Sequence, residues 1–241
     1  MKQTIHVMKR FEMKYILTPS QVEYVKRELQ SYMKVDSYGL TSIASLYYDT
    51  PDHRLIRASL EKPAFKEKIR LRSYGLAKED SKVFLELKRK ADGIVYKRRA
   101  TTTLPQAALF FQGKEDVVQE DQIGKEITYF RDYYQNLIPS CLIIYDRVAY
   151  FQEEGDLRLT LDANPRYRVK DLNLTSSLEG IPLLPDGYVI MEIKVQESMP
   201  LWLTKILDDG KIYKNSFSKY GEAYKREFSF LPLERRIQAY V

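Results

Sequence analysis

Apolar and polar positions alternate with a period of two along much of this chain, and the polar positions carry charge to an unusual degree. Lys66, Lys68, Arg70 and Arg72 fall at every second position, with Ile69 and Leu71 between them. Glu86, Lys88 and Lys90 repeat the spacing against Leu85 and Leu87. In a β-strand, residues i, i+2 and i+4 share one face, so each segment projects a column of charge from one side and an apolar row from the other. Arg10, Glu12 and Lys14 alternate with Phe11, Met13 and Tyr15 in the same way. So do Arg158 and Asp162 against Leu157, Leu159 and Leu161, and Glu192 and Lys194 against Ile193 and Val195. Arg147 stands in a further apolar strand. After the Lys88 segment, Tyr96, Arg98 and Ala100 take one side and Val95, Lys97 and Arg99 the other. Lys97 and Arg98 are both candidates for the charged column there, because a slip of one residue exchanges the two faces.

The pattern predicts strands over residues 10–15, 41–49, 64–74, 83–90, 94–103, 141–152, 158–162 and 188–196. The short links between 64–74, 83–90 and 94–103 imply an antiparallel meander. Val22, Val25, Leu29 and Met33 recur at helical spacing after Thr18-Pro19, a helix-start signal, so residues 19–34 read as an amphipathic helix. Ile123, Ile127, Phe130 and Tyr134 predict a second over 121–136, ended by Pro139. Shorter helices are expected over 104–112, 200–207 (with Trp202 in the core) and 217–228. Residues 55–60 read as a short helix or an irregular segment, 165–185 as a long link with one short strand at most, and 231–241 as a tail. No repeat or linker interrupts the chain, so residues 1–241 are expected to form a single domain.

For any one strand, a charged column is most simply the solvated face of a sheet. The columns together favour a second explanation: an α+β fold in which a closed antiparallel β-barrel keeps its charge in the lumen and its apolar outside is covered by amphipathic helices. The columns are rich in Arg and Lys rather than Ser, Thr and Gln, and Arg suits bidentate contact with phosphate oxygens. An empty cation-lined lumen is costly, because desolvation strengthens the mutual repulsion. A polyanion such as a triphosphate or a longer phosphate chain offsets that cost. Glu12, Glu86 and Glu192 can then pair with neighbouring cations or hold a divalent metal that bridges to phosphate.

Composition narrows the chemistry. The 241 residues include 39 basic and 33 acidic ones, a net charge of only +6, so indiscriminate nucleic-acid binding is not implied. Hydrophobic residues make up 44% of the chain, enough for a packed core. Cys141 is the only cysteine, and His6 and His53 are the only histidines. That excludes an intrachain disulfide and Cys- or His-rich metal sites, and leaves hard cations such as Mg²⁺ or Mn²⁺. No apolar leader and no apolar run of membrane-spanning length is present, so a soluble cytoplasmic protein is expected. No P-loop, GxGxxG or kinase signature occurs.

Several segments together carry a resemblance: Lys9 to Tyr15 (KRFEMKY), Ser45 to Thr50 (SLYYDT), Lys68 to Tyr74 (KIRLRSY), Phe84 to Lys88 (FLELK), Tyr188 to Lys194 (YVIMEIK) and Ser218-Lys219-Tyr220. In that order they resemble the VTC domain, the polyphosphate polymerase branch of the triphosphate tunnel metalloenzymes, over about residues 10–224. The resemblance implies a tunnel of antiparallel strands in which basic residues grip the triphosphate of ATP or another nucleoside triphosphate. It implies transfer of the γ-phosphoryl group onto polyphosphate, with Mn²⁺ or Mg²⁺ as cofactor. It assigns phosphate contacts to Arg10, Lys14, Lys68, Arg70, Arg72, Lys88, Lys97, Arg98, Arg147, Arg158, Lys194 and Lys219. Arg70, Arg72, Lys88, Arg147, Arg158 and Glu192 form the expected catalytic set, with Glu192, and secondarily Glu12 and Glu86, as metal carboxylates. Hydrolytic and cyclase relatives carry ExExK on the first strand. Here Arg10 replaces the first Glu, which fits the polymerase branch better than two-metal hydrolysis. The chain lacks the SPX domain and membrane segments of the fungal complex, so coupled translocation is not implied.

Three rivals remain: a triphosphatase in the same tunnel, a non-catalytic binder of polyphosphate or nucleotide, and an RNA-binding module using some of the 19 Tyr and 10 Phe as stacking platforms. Individual residues also have plainer readings. Glu86 and Glu12 can simply orient cations, Tyr47, Tyr48 and Asp49 can be structural, and His6 and His53 are expected at the surface.

Overall fold

The period-two segments fold as neighbouring strands of one sheet. The computed structural model describes residues 11–61, 63–92, 94–116, 121–196 and 198–228. In chain order it contains β1 (Phe11–Leu17), α1 (Pro19–Leu29), β2 (Lys34–Val35), β3 (Thr41–Asp49), α2 (Arg54–Leu60), β4 (Phe65–Tyr74), β5 (Val83–Ala91), β6 (Ile94–Thr102), α3 (Leu104–Phe111), α4 (Gln122–Tyr134), β7 (Ile138–Phe151), β8 (Arg158–Arg168), β9 (Ile181–Pro182), β10 (Val189–Val195), α5 (Leu201–Asp209), β11 (Lys214–Asn215) and α6 (Lys219–Phe228).

The strands pair antiparallel in the order β11-β1-β10-β8-β7-β3-β4-β5-β6, with β2 on β7 and β9 on β8. The expected closed barrel is therefore corrected. Among the described residues, β6 at one end of the sheet makes no ladder with β1 or β11 at the other. β11 is only two residues long and covers just Lys14 and Tyr15 of β1. Side chains span the seam instead: Lys88 Nζ on β5 lies 3.5 Å from Glu12 Oε2 on β1. The sheet curls far enough for its charged faces to meet across the concavity without closing through its backbone.

Apolar clusters cover both sides. On the convex side, Leu71, Leu85, Ile127, Phe130 and Leu142 join the β3–β4–β5–β7 region to α3 and α4. Tyr15, Val25, Leu29, Leu159, Ile193 and Leu203 join β1, β10 and β8 to α1 and α5. A third cluster lies inside the curl, where α2 and α6 bring Ile56, Tyr220 and Ala223 against Ile43, Ile143 and Tyr145. Part of the concavity is thus filled by apolar side chains, and the charged columns occupy the remainder.

Several boundaries differ from expectation for physical reasons. Helix α1 starts with a capping box between Thr18 and Gln21 but ends at Leu29. Met33, whose spacing suggested a longer helix, is buried in the same core from the turn that follows. Pro139 does not mark a break after α4. It lies inside β7, where the register with β3 shifts between Tyr47 and Tyr48. Pro165 lies inside β8, which runs on to Arg168 past a register shift between Ile144 and Asp146. A residue without an N–H is tolerated at such irregularities. Trp202 is half-buried and stacks on Tyr32, with ring centroids 4.3 Å apart. His53 is half-buried rather than at the surface. Its ring packs against Tyr224 and Phe228, and its Nδ1 is 3.2 Å from Ser140 Oγ. His6 and the expected tail over residues 231–241 lie outside the described residues. Among those residues, no helix is long and apolar enough to cross a membrane.

Candidate functional site

Residues opposed in an antiparallel ladder share a face, so the register assembles the charged columns side by side. Lys68 opposes Lys88, Arg70 opposes Glu86 and Arg72 opposes Phe84. Glu86 in turn opposes Arg99, and Lys88 opposes Lys97. Arg147 opposes Asp162. Lys14 opposes Glu192, and Lys194 opposes both Glu12 and Arg158.

Two buried carboxylates organise these cations. Glu86 is 1% exposed. It accepts hydrogen bonds from Arg70 at 2.9 and 2.7 Å and from Arg99 at 2.7 Å. Lys97 lies 2.8 Å and Arg72 3.6 Å away. Burial pushes the Glu86 carboxyl up, but Arg70, Arg72 and Lys97 outweigh it and hold the group far below the usual carboxylate range. Asp162 is fully buried. It accepts two bonds from Arg147, at 2.6 and 2.8 Å, and one from Lys219. Both cations also face the ring of Tyr145, Lys219 at 4.2 Å and Arg147 at 5.1 Å from its centroid. The Tyr145 hydroxyl accepts from Arg72 at 3.3 Å. Burial pushes this phenol up, but Arg72, Arg147 and Lys219 bring it below its ordinary value.

Between the two hubs lies a cluster with an excess of positive charge. Lys68 is half-buried, and its ammonium meets neutral groups: the Ser218 hydroxyl at 3.4 Å and the face of Tyr220 at 5.7 Å. Burial, followed by repulsion from Lys66, Lys14, Lys88 and Arg70, pushes the Lys68 ammonium down to about 7. Lys14 donates to the Phe217 carbonyl at 3.2 Å, just before α6. The start of α6 therefore meets β1 and β4 over this cluster. Tyr220 anchors that helix. Its ring stacks on Tyr47 at 4.5 Å, and its hydroxyl donates to Asp49 at 2.9 Å. Asp49 also accepts the Leu55 and Ile56 N–H groups that open α2. The plainer reading of Tyr47 and Asp49 matches these contacts: they fix the two helices beneath the cations.

The remaining predicted residues divide by position. Glu192 has Lys194 at 2.8 Å and Lys14 at 3.9 Å. Burial pushes its carboxyl up, but Lys194, Lys14 and Arg147 hold it well below the usual range. Glu12 lies 3.7 Å from Lys14 and 3.5 Å from Lys88. Arg158 is exposed at the start of β8. Arg98 does not join the cluster. It faces the convex side and donates to Glu126 of α4 at 2.9 and 3.2 Å; its neighbours Lys97 and Arg99 take the inward positions. Arg10 lies outside the described residues. Glu86, enclosed by four cations, is an organiser of arginines rather than an open metal carboxylate. Arg99 and Asp162 were absent from the predicted set. Arg99 was signalled by its two-residue spacing from Lys97, and Asp162 by its place in the Arg158 column. A separate cavity of about 590 Å³, lined by Arg54, Phe65, Tyr129 and Tyr133, touches the inward columns only at Lys66.

Glu192 and Glu12 occupy diagonal positions of one strand pair, as the Lys14–Glu192 and Glu12–Lys194 register requires. Among the described residues, no group of three or more His, Cys, Asp or Glu could hold a metal ion. A hard divalent cation bound by one or two carboxylates, with phosphate oxygens and water completing its shell, fits this donor set.

The family model for the VTC domain matches residues 9–228. No curated protein matches the chain. Among solved structures, a candidate adenylate cyclase of Bacillus halodurans superposes with a TM-score of 0.57 at 15% identity, over 92% of this chain and 100% of that one. A candidate adenylyl cyclase of Hippeastrum, whose dominant activity is that of a triphosphatase, superposes with a TM-score of 0.53 at 20% identity, over 94% and 99%. These two likenesses establish a shared fold.

Proposed function

Because the chain belongs to the VTC domain family, we propose that it is a phosphoryl transferase of the polyphosphate polymerase type. It moves the γ-phosphoryl group of ATP or another nucleoside triphosphate onto a polyphosphate chain within the cation-lined concavity. The observation that carries this reading is Lys68: a half-buried ammonium among Lys14, Lys66, Lys88 and Arg70, with its pKa pushed down to about 7. Such a cluster is relieved by a bound polyanion.

Arg70 and Arg72, held by Glu86, and Arg147 and Lys219, held by Asp162, grip the phosphates. Their orientation is set before substrate arrives, so little reorganisation accompanies charge development on the transferring group. A terminal oxygen of the acceptor chain attacks the γ-phosphorus in line. The bond to the β,γ-bridging oxygen breaks, ADP leaves, and the chain is longer by one phosphate. The acceptor oxygen is already anionic, so no side-chain base or nucleophile is required. Glu192, with Glu12 beside it, would hold Mn²⁺ or Mg²⁺. Bound there, such an ion would supply charge neutralisation at the phosphate oxygens.

Incubation with ATP and Mn²⁺ should yield ADP and acid-insoluble polyphosphate in step. Orthophosphate without chain growth would instead assign a triphosphatase. Tight binding without turnover would assign a sensor. The absence of both binding and turnover would overturn the reading.

A further inference from the structure

Resting on the triphosphate site proposed above, we infer that Tyr74 is the stacking platform for the base of a nucleoside triphosphate. Tyr74 continues the column of Lys68, Arg70 and Arg72 at the end of β4, opposing Ile43 as Arg72 opposes Ser45. It lies one two-residue step, about 6.6 Å, beyond Arg72 on the same face. Tyr74 is 48% exposed, whereas Arg72 beneath it is buried. The charged column therefore ends in an aromatic group open to solvent.

The ring is also held in place. Its hydroxyl accepts from Arg99 at 3.1 Å. Phe84, directly opposite Arg72, meets Tyr74 edge-on, with centroids 5.6 Å apart and planes at 78°. The Arg99 guanidinium covers Phe84 at 4.7 Å. Two perpendicular rings and a guanidinium form a corner that a flat heteroaromatic group can enter. Arg99 is bonded to Glu86 as well, so the corner and the phosphate clamp share one anchor. A triphosphate held by Arg70 and Arg72 can leave its sugar and base at this exposed end. Stacking on a π face is tolerant of base identity, so the platform favours nucleoside triphosphates over inorganic tripolyphosphate without selecting strongly among bases.

The test compares a β,γ-imido analogue of ATP with inorganic tripolyphosphate by calorimetry, with and without Mg²⁺, for wild type, Tyr74→Leu and Tyr74→Phe. The Leu variant should bind the ATP analogue about 5- to 100-fold more weakly and tripolyphosphate unchanged. The Phe variant, which keeps the ring, should stay near wild type for both. Equal affinity of the Leu variant and wild type for the ATP analogue overturns the inference. So does an equal loss for both ligands, which would mark a structural role. Failure of the wild type to bind tripolyphosphate at all would overturn the triphosphate site itself.

Discussion

Asp162 and Arg147 form a two-point ion pair, at 2.6 and 2.8 Å, with the carboxylate fully buried and Lys219 on its second oxygen. This joins β7, β8 and α6 behind the cation cluster. Asp162→Asn leaves two poorly solvated cations without their counter-charge, a change worth about 3–5 kcal/mol. In a chain of this size that lowers the melting temperature by about 6–20 °C. Tripolyphosphate, which restores negative charge, should stabilise the variant more than the wild type. Burial raises the Asp162 pKa, but Lys219 and Arg147 outweigh it and lower it. The stabilisation is therefore present above the unfolded carboxyl pKa of about 3.9 and is lost as pH falls through the lower folded value. Thermal unfolding from pH 7 to 3 should show a fall for the wild type that is smaller for Asp162→Asn. Equal acid sensitivity would count against the pair.

Lys68 has the opposite sign. Its folded pKa is down at about 7, against an ordinary lysine value near 10.4. Between those limits the unfolded chain binds more protons, so this group makes stability rise with pH from about 7 upward. Lys68→Met should raise the melting temperature at pH 6.5 and shrink that difference toward pH 9, while weakening polyanion binding. An anion at the ammonium raises its pKa, so tripolyphosphate binding at pH 7.5 should take up protons. Calorimetry in buffers of different ionisation enthalpy measures this directly. Binding with no proton uptake in the wild type, or the same uptake in Lys68→Met, would remove Lys68 from the site.

Glu86 and Glu192 are both carboxylates held low by cations, but their surroundings assign them different work. Glu86→Gln releases Arg70, Arg72, Lys97 and Arg99 from a common anchor. It should weaken tripolyphosphate binding with and without Mn²⁺ and lower thermal stability. Glu192→Gln should abolish the Mn²⁺ dependence of turnover and leave metal-free tripolyphosphate binding within about threefold of wild type, since it removes a negative group from an anion site. A selective loss of the metal response in Glu86→Gln would exchange the two roles.

The columns were legible because two-residue spacing fixes a face whatever the sheet does as a whole. Lys68, Arg70, Arg72 and Lys88 could be grouped from that spacing alone. What spacing cannot convey is which strands meet at the end of the sheet. The ladder needs a partner edge for β6, and the pattern of a closed barrel is the same as that of a curled sheet whose seam is crossed by Lys88 and Glu12. Pro139 and Pro165 misled for a related reason. A proline in a sequence marks a missing N–H, and a β-bulge absorbs that omission without ending the strand. The inward role of Asp162 was obscured because its partners, Arg147 and Lys219, come from a neighbouring strand and a distant helix.

The strand β6 offers the sharpest separation of site from scaffold, because Arg98 and Arg99 are adjacent and point to opposite faces. Arg98 pairs with Glu126 of α4 on the convex side, with its side chain about one-third exposed. A partly solvated pair of this kind contributes at most about 1 kcal/mol. Arg98→Met should therefore lower the melting temperature by no more than a few degrees and leave tripolyphosphate affinity and its salt dependence unchanged. Arg99→Met removes a charge-assisted bond to buried Glu86 and one cation from the concave face. It should weaken tripolyphosphate binding by about 10- to 100-fold and flatten the dependence of affinity on salt, as fewer charges face the ligand. Calorimetric titrations of both variants at 50 and 200 mM salt make the comparison. If Arg98→Met were the variant that lost binding, the register of β6 would have to shift by one residue, and Lys97 would leave the site with Arg99.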